Sequence, residues 1–318
     1  MKVIVTGGSG FVGKRLKKVK PDWIYLSSSD VNMLNHYECL DYFSREKPDA
    51  VIHLAGRVGG IKDNATHPAD FFYENSTINS NVVHACYMAG VKRLLASLST
   101  CAFPDRLGTL SYPFTEEDFL NGPPAETNRA YGFTKRALYM QIQSYRKQYG
   151  VDYSCFCPSN LYGPDDNFNI ETSHFVPAMI KKIHEAKENE VVEFWGTGEP
   201  LRQQLFVDDL CKAIPELLEH HHGDIPIIVA PDENLSISKM ISIFCSMINK
   251  KIEVIFNGEL DGQFRKDGSN GKFKELVQGF KFTPFGEGVI KTYEWYKKSI
   301  SNRHQRTGRL LFSGTPFR

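Results

Sequence analysis

At about 150 residues per domain, 318 residues make two domains or one α/β unit with an appended lobe. The 38 basic and 37 acidic residues leave a formal charge of +1, which offers no bulk attraction to nucleic acid or an anionic membrane. A 41% hydrophobic and 24% charged composition excludes disordered and fibrous classes, and no apolar run approaches the ~18 residues of a membrane span.

The start holds three successive apolar residues before a glycine, too few for a signal-peptide core, so the chain is expected to begin at Met1 and to be cytoplasmic. Its seven cysteines form no Cys-x-x-Cys pair, which argues against a zinc ribbon or a disulfide framework.

In chain order, residues 2–6 are an apolar run ending in glycines, 12–19 can be helical, and 23–26 is a second run. A helix is predicted over 37–45, a third buried run at 50–54, a long helix over 75–90 and a fourth run at 94–98. A helix over 131–149 precedes a strand at 151–157. This alternation predicts an α/β fold, a doubly wound parallel sheet (Rossmann) whose ligands sit at the carboxyl ends of the strands. From Tyr162 the texture changes. Gly163-Pro164-Asp165-Asp166-Asn167 is loop chemistry, and Gly196, Gly198 and Pro200 mark another break. Strand-like 191–195 and 252–256 fit a smaller α/β lobe, and a strand and helix over 205–218 can return to the first domain. The organisation expected is a nucleotide domain at 1–165 with a return segment at 205–230, and a substrate lobe at 166–204 and 231–298. A basic, mobile tail is expected at 299–318.

Gly7-Gly8-Ser9-Gly10-Phe11-Val12-Gly13 follows the first strand and opens a helix. Glycines 7, 10 and 13 allow a tight turn and close approach of backbone N–H groups to a pyrophosphate, and the helix N-terminus adds partial positive charge. The second strand ends in Ser27-Ser28-Ser29, where an acid would grip the ribose of NAD. Hydroxyls at Ser27 and Ser28 suit a 2′-phosphate, with Arg15 or Lys14 nearby, so NADP(H) is the favoured cofactor. Asp30 comes later and is expected to border the adenine.

Tyr131 and Lys135 are four apart on one helix face, where the ammonium would lower the tyrosine pKa and bind the nicotinamide ribose. Tyr131 could then donate a proton to a carbonyl oxygen as hydride arrives, and Ser99, just after the fourth strand, could bind the same oxygen. Several residues read more simply. Cys155 and Cys157 alternate on a strand as packing groups, Phe71-Phe72-Tyr73 is core, and His220-His221-His222 is a solvated helix end rather than a metal site.

The set of motifs resembles the extended short-chain dehydrogenase/reductase family, in its nucleotide-sugar epimerase-reductase branch. Carrying the resemblance are Val58-Gly59-Gly60-Ile61, Pro68-Ala69-Asp70-Phe71 and Ser99-Thr100-Cys101-Ala102-Phe103-Pro104. Pro158-Ser159-Asn160-Leu161-Tyr162-Gly163-Pro164, Asp166-Asn167-Phe168 and Ser173-His174-Phe175-Val176-Pro177 continue it. Trp195-Gly196-Thr197-Gly198 and Asp261-Gly262-Gln263-Phe264 complete it, over about residues 1–298.

The resemblance implies NADPH-dependent 3,5-epimerisation and 4-keto reduction of GDP-4-keto-6-deoxy-D-mannose to GDP-L-fucose. It assigns the epimerase acid–base pair to Cys101 and His174, with Ser99 and Tyr131 holding the enolate oxygen. It places Pro158, Asn160 and Leu161 with Lys135 at the cofactor, and Lys182, Trp195, Arg202 and Asp261 at the GDP-sugar. It also implies a homodimer through the helices at 75–90 and 131–149. Two positions depart from the pattern: Lys182 stands where some relatives use arginine, and Gly56-Arg57 replaces small residues before Val-Gly-Gly. A plain 4-keto reductase, a 4-epimerase and a non-catalytic NADP-sensing protein are the alternatives. A 4,6-dehydratase would have an Asp-Glu pair where this chain has Thr100-Cys101.

Overall fold

Short β-branched runs that can be buried on both faces build the centre of the molecule. The computed structural model describes residues 1–105, 111–259, 261 and 263–311, with side chains as far as Ser301. β1 (Val3–Thr6), α1 (Phe11–Val19), β2 (Ile24–Leu26), α2 (His36–Glu46), β3 (Ala50–His53), α3 (Ile61–Thr66) and α4 (Pro68–Met88) come first. β4 (Arg93–Ser97), α5 (Arg129–Tyr149), β5 (Asp152–Pro158), β6 (Asn160–Tyr162), α6 (Phe175–Glu185), β7 (Val191–Phe194), β8 (Leu201–Arg202) and β9 (Gln204–Phe206) follow. The remainder is α7 (Val207–His220), β10 (Ile227–Val229), β11 (Leu235–Ser236), α8 (Ile237–Met247), β12 (Glu253–Phe256), β13 (Arg265–Lys266), α9 (Gly271–Leu276) and α10 (Phe285–Leu311).

Six strands run parallel in the order β2-β1-β3-β4-β5-β10. From β1 the chain steps outward to β2, then crosses back to β3 on the other side. That reversal leaves a crevice at the carboxyl ends of β1 and β3. Alternate side chains supply the two faces. Val3, Val5, Ala50, Ile52 and Leu95 pack with Leu16 of α1, Leu210 and Ile214 of α7 and Phe273 of α9. Ile4, Val51, Leu94 and Ala96 face Phe43 of α2, Val82 and Cys86 of α4 and Ile142 of α5, with Cys155 and Cys157 in the same layer. The doubly wound α/β sheet is therefore present, with α7 against α1 and β10 beside β5 at its edge.

A third apolar core joins Val176, Met179 and Ile183 of α6, Val192 and Phe194 of β7, Phe244 of α8 and Phe285, Val289 and Tyr296 of α10. β7 pairs with β12, and β8 lies between β11 and β13. Pro177 is tolerated because it sits in the first turn of α6, where backbone N–H groups have no helical partner.

Three expectations change. The expected tail begins inside a helix, since residues 299–311 belong to α10; residues 312–318 lie outside the described residues. α4 begins at Pro68, a residue suited to a first helical position, so Phe71 is buried while Phe72 and Tyr73 turn outward. His221 is buried against the Cys155 carbonyl at 3.0 Å, not solvated, and that burial holds it neutral with its pKa pushed down to about 4. No helix among the described residues is long and apolar enough to cross a membrane.

Candidate active site

The glycine loop fills the crevice mouth. Gly7 has φ +74°, and a side-chain carbon there would come within 2.9 Å of the Ala55 nitrogen. One on Gly8 would meet the Tyr25 Cβ at 2.6 Å, and one on Gly13 the Gly7 oxygen at 2.4 Å. Backbone therefore lies closely over β1, β2 and β3. Gly10 caps α1 without a side chain, so no side-chain oxygen competes for the first-turn N–H groups of Phe11, Val12 and Gly13. Ser9 stands at the loop tip, exposed.

Beneath the loop, Thr6 Oγ1 accepts from the Leu54 and Ala55 N–H groups, both at 3.2 Å, and contacts His53 Nδ1 at 2.8 Å. His53 Nε2 lies 3.0 Å from Asn79 Oδ1 on α4. Burial, reinforced by the Lys135 charge, pushes the His53 pKa down to about 3, so this ring is a neutral bridge between sheet and helix.

At the end of β2, the Asp30 carboxylate accepts from the Ser27 N–H at 2.8 Å and the Ser27 hydroxyl at 2.5 Å. Asp30 thus folds back on the serine turn rather than standing apart, while Ser28 is exposed beside it. Arg15 is not available to the turn. It makes a bidentate pair with Asp208 of α7, both contacts 2.7 Å, and reaches Asp165 at 3.3 Å. A part-buried fork with two acids holds α1 to α7 and has no free geometry for a phosphate. Lys14 is exposed on α1.

Across the sheet, Pro158 ends β5, and Asn160 and Leu161 begin β6, which pairs with β9. Between them the Ser159 hydroxyl is buried without a hydrogen-bond partner. A glycine cradle and an orphaned hydroxyl at strand ends fit a dinucleotide spanning the crevice.

Ser99 follows β4 and caps the turn Thr100–Ala102, its Oγ accepting from the Cys101 N–H at 3.1 Å. Tyr131 and Lys135 stand one turn apart near the start of α5, both buried. Lys135 Nζ donates to the Ser97 carbonyl at 2.8 Å and lies 5.6 Å from the Tyr131 ring centroid. Burial pushes Lys135 down to about 8. The expected lowering of Tyr131 is not found. Burial and the Cys101 charge raise its phenol, against a lowering hydrogen bond from Ser99, because Lys135 points to a carbonyl instead. Tyr131 is consequently a protonated donor.

Cys101 Sγ lies 2.9 Å from Lys266 Nζ on β13. Burial raises this thiol, but the Lys266 charge and hydrogen bond, with Ser99 and Asn128, outweigh it and bring the pKa below the ordinary 9. His174 caps α6 at the end of a loop fastened to α3 by Lys62–Glu171 at 2.5 Å and by the Gly60 N–H on the Thr172 carbonyl at 3.2 Å. Its ring reaches solvent in the cleft, yet the surrounding protein desolvates it and, with Lys266, lowers its pKa.

The residues expected at the substrate come from α6, β8, the turn after β7 and the segment before β13. Lys182 donates to the Glu193 carbonyl at 3.0 Å and lies 5.2 Å over the Phe194 ring. Trp195 is 54% exposed, an open stacking face. Asp261 accepts from the Thr197 N–H at 2.7 Å and hydroxyl at 2.8 Å, so it braces the turn that carries Trp195. Arg202 donates to the Leu201 carbonyl at 2.8 Å, and its charge reaches Cys101. Arg57 pairs with Glu74 at 2.8 Å and lies over the Phe71 ring, whose edge meets Tyr131.

Lys266 and Asn128 are the residues that sequence reasoning missed. A lysine in an Arg-Lys-Asp run reads as solvated charge, and its position just after Asp261-Gly262-Gln263-Phe264 was the available signal. Among the described residues no cluster of histidine, cysteine and acid could hold a metal.

The profile of the NAD dependent epimerase/dehydratase family matches residues 3–229. The chain belongs to this family. It is 35% identical to GDP-L-fucose synthase of Dictyostelium discoideum, over 92% of this chain and 94% of the relative. It is 30% identical to GDP-L-fucose synthase of Escherichia coli K12, over 93% and 96%. A solved GDP-L-fucose synthetase from Naegleria fowleri bound to NADP superposes with a TM-score of 0.85 at 32% identity, covering 94% of this chain and 93% of that one. Within the epimerase/dehydratase family, then, the chain groups with the GDP-L-fucose synthases. The family match ends at β10, so it spans the whole parallel sheet.

Proposed function

We propose that this protein converts GDP-4-keto-6-deoxy-D-mannose to GDP-L-fucose, by epimerisation at sugar carbons 3 and 5 followed by NADPH-dependent reduction at carbon 4. The likeness to GDP-L-fucose synthases supports the substrate, and the NADP-bound relative supports the cofactor. The observation that carries the reading is the placement of Cys101 beside Lys266 and two residues after Ser99, since a plain ketone reductase needs no cationic cysteine site.

Ser99 and Tyr131 hold the carbon-4 oxygen, where negative charge develops as an enolate forms. Cys101 as thiolate takes the proton from carbon 3 or 5, and His174 as imidazolium returns one to the opposite face. Two charges on a bound diphosphate oppose the Lys266 effect and favour that imidazolium. Tyr131, kept protonated by burial, then donates to the carbon-4 oxygen. Residues 7–13, Ser27, Ser28 and Lys135, with Pro158, Asn160 and Leu161 alongside, would hold NADPH, which would supply the reducing hydride. For the substrate, Trp195 stacks on the base and Arg202 contacts the diphosphate, while Lys182 and Asp261 order the strand and turn around them.

The protein is proposed to be a homodimer. Met88 on α4 and Phe133 and Met140 on α5 are exposed, as are Phe72 and Tyr73. Apolar groups on two adjacent helices suit burial against a second copy. Its seven free thiols fit a reducing compartment, and the cytoplasm is the proposed location. The deciding test incubates the protein with NADPH and GDP-4-keto-6-deoxymannose and identifies the sugar. GDP-fucose is expected; GDP-rhamnose indicates reduction alone, and unchanged NADPH overturns the reading.

A further inference from the structure

We propose that Lys266 makes Cys101 a base: its ammonium, 2.9 Å from Sγ, holds the thiol of the resting protein as a thiolate–ammonium pair. The inference deepens the epimerase reading and rests on it for its catalytic meaning. Lys266 touches Cys101 rather than the reacting carbons, so it is a positioning residue.

The backbone explains how a side chain 165 positions away is held there. β13 runs parallel to β8, with Arg265 opposite Leu201 and Lys266 opposite Arg202. Parallel partners in register present their side chains on the same face, so Lys266 and Arg202 emerge together. The strand is clamped from the other side as well. The Phe114 N–H donates to the Asp267 carbonyl at 2.8 Å, and the Ser269 N–H to the Phe114 carbonyl at 2.6 Å. The Gln203 side chain closes on Gly268 through both its oxygen, at 2.8 Å, and its nitrogen, at 3.1 Å.

Charge supplies the second argument. Lys266 is 8% exposed, and a buried ammonium is costly without an anionic partner. The adjacent acid, Asp267, is taken by a bidentate pair with Arg265 at 2.6 and 2.9 Å. Among the described residues no carboxylate forms an ion pair with Lys266. Arg202 brings a second cation to the same place, and its charge interacts with Cys101. The other groups facing the sulfur are Ser99 on its own turn, Asn128 before α5, Tyr131 and Lys135 of α5, and Cys157 of β5. His174 shares the Lys266 field. None of these is a carboxylate; Arg202 also feels Asp261, but for Lys266 the thiolate is the anion within reach.

The step balances. Cys101 sulfur gains the proton of the sugar carbon, and the C–H electron pair becomes the enolate. The His174 imidazolium gives its proton to the other face and becomes neutral. Exchange with water then removes the thiol proton and restores the imidazolium. Lys266 keeps its protons throughout and stabilises the sulfur at the start and end of the cycle.

The test reads the thiol itself, in full-length protein without substrate. Alkylation by iodoacetamide is followed against pH by mass spectrometry of the peptide carrying Cys101, with part-exposed Cys245, whose thiol burial raises, as internal reference. The wild-type Cys101 midpoint is expected below 9, with Lys266→Gln slowing alkylation at pH 7 about tenfold, equivalent to about one pH unit. Lys266→Arg should restore most of the rate. A wild-type midpoint at or above 9, or the same midpoint in wild type and Lys266→Gln, overturns the proposal. If Lys266→Gln does not fold, the wild-type midpoint and the Lys266→Arg profile still decide it. Solvent-deuterium exchange at carbons 3 and 5 separates the two readings. Absent exchange in wild type sinks the epimerase function but leaves the thiol result standing, whereas unaltered exchange and alkylation in Lys266→Gln sink only the role of Lys266.

Discussion

The two halves of this molecule are made differently. The sheet half is assembled largely in chain order: β1 to β5 follow one another with helices between them, and only β10 joins the sheet from far along the chain. The substrate half is assembled from strangers. Its small sheet joins β11, β8 and β13, strands of two residues each drawn from widely separated parts of the chain. The sheet half supplies Ser99, Cys101, Tyr131 and Lys135 from strand ends and one helix, where position follows from local structure. The substrate half supplies His174, Arg202 and Lys266 from a loop and two strands too short to order themselves.

Substitutions can sharpen or break that division. The largest effects belong to residues at the junction. Cys101→Ser should abolish solvent-deuterium incorporation at carbons 3 and 5 while NADPH binding, followed by fluorescence, is retained; wild-type-like exchange would remove Cys101 as base. Tyr131→Phe should slow NADPH oxidation about 10²–10⁴-fold. An unchanged turnover number would mean that another group donates the proton.

Core truncations come next. Leu95→Ala in β4 and Met179→Ala in α6, both fully buried, should each cost about 2–5 kcal/mol by chemical denaturation. They should differ in consequence. Leu95→Ala weakens the sheet and hence NADPH affinity, whereas Met179→Ala should leave that affinity unchanged and raise the KM for the sugar nucleotide. Equal loss of NADPH binding in both would show that the halves do not divide as described.

The smallest effect concerns Asp166, in the loop that leads from the sheet half to α6. One carboxylate oxygen accepts from the Asn167 N–H at 2.7 Å, and the other is buried without a partner. Burial pushes its pKa from 3.8 up to about 7. The folded protein therefore keeps a proton that the unfolded chain releases, so this group's contribution to stability falls as pH rises from about 4 to about 7 and is level above that. Asp166→Asn should flatten that slope and stabilise the protein at pH 8 by about 1–2 kcal/mol. Thermal melts of both proteins at pH 5 and 8 check the sign, and an unchanged slope would place the proton elsewhere.

Sequence reading served the sheet half better, for reasons visible in particular residues. Alternating burial of Val3, Ile4 and Val5 is written into one continuous segment, and the strand–glycine–helix order around Gly7 leaves little choice of conformation. Ser99, Tyr131 and Lys135 were legible because strand end and helix spacing place them. The errors came where a partner from elsewhere decides. Arg15 looked free for a phosphate until α7 brought Asp208 to it. Lys135 was expected to act on the Tyr131 phenol, but the Ser97 carbonyl claims its ammonium. Phe72 and Tyr73 looked like core because Phe71 is, and a helix starting at Pro68 turns them away.

By itself, the sequence determined the parallel sheet and the strand–glycine–helix loop, and it brought forward the residues proposed to face the ketone, since each depends on order within a few tens of residues. Its motifs also marked Cys101 and His174 through resemblance. Tertiary structure alone decided what Cys101 meets. The balanced charge of +1 hides a place where Lys266 and Arg202 stand side by side and Lys266 meets the Cys101 sulfur. That arrangement depends on the register of two short strands that pairs Leu201 with Arg265 and Arg202 with Lys266, and no local propensity encodes such a register.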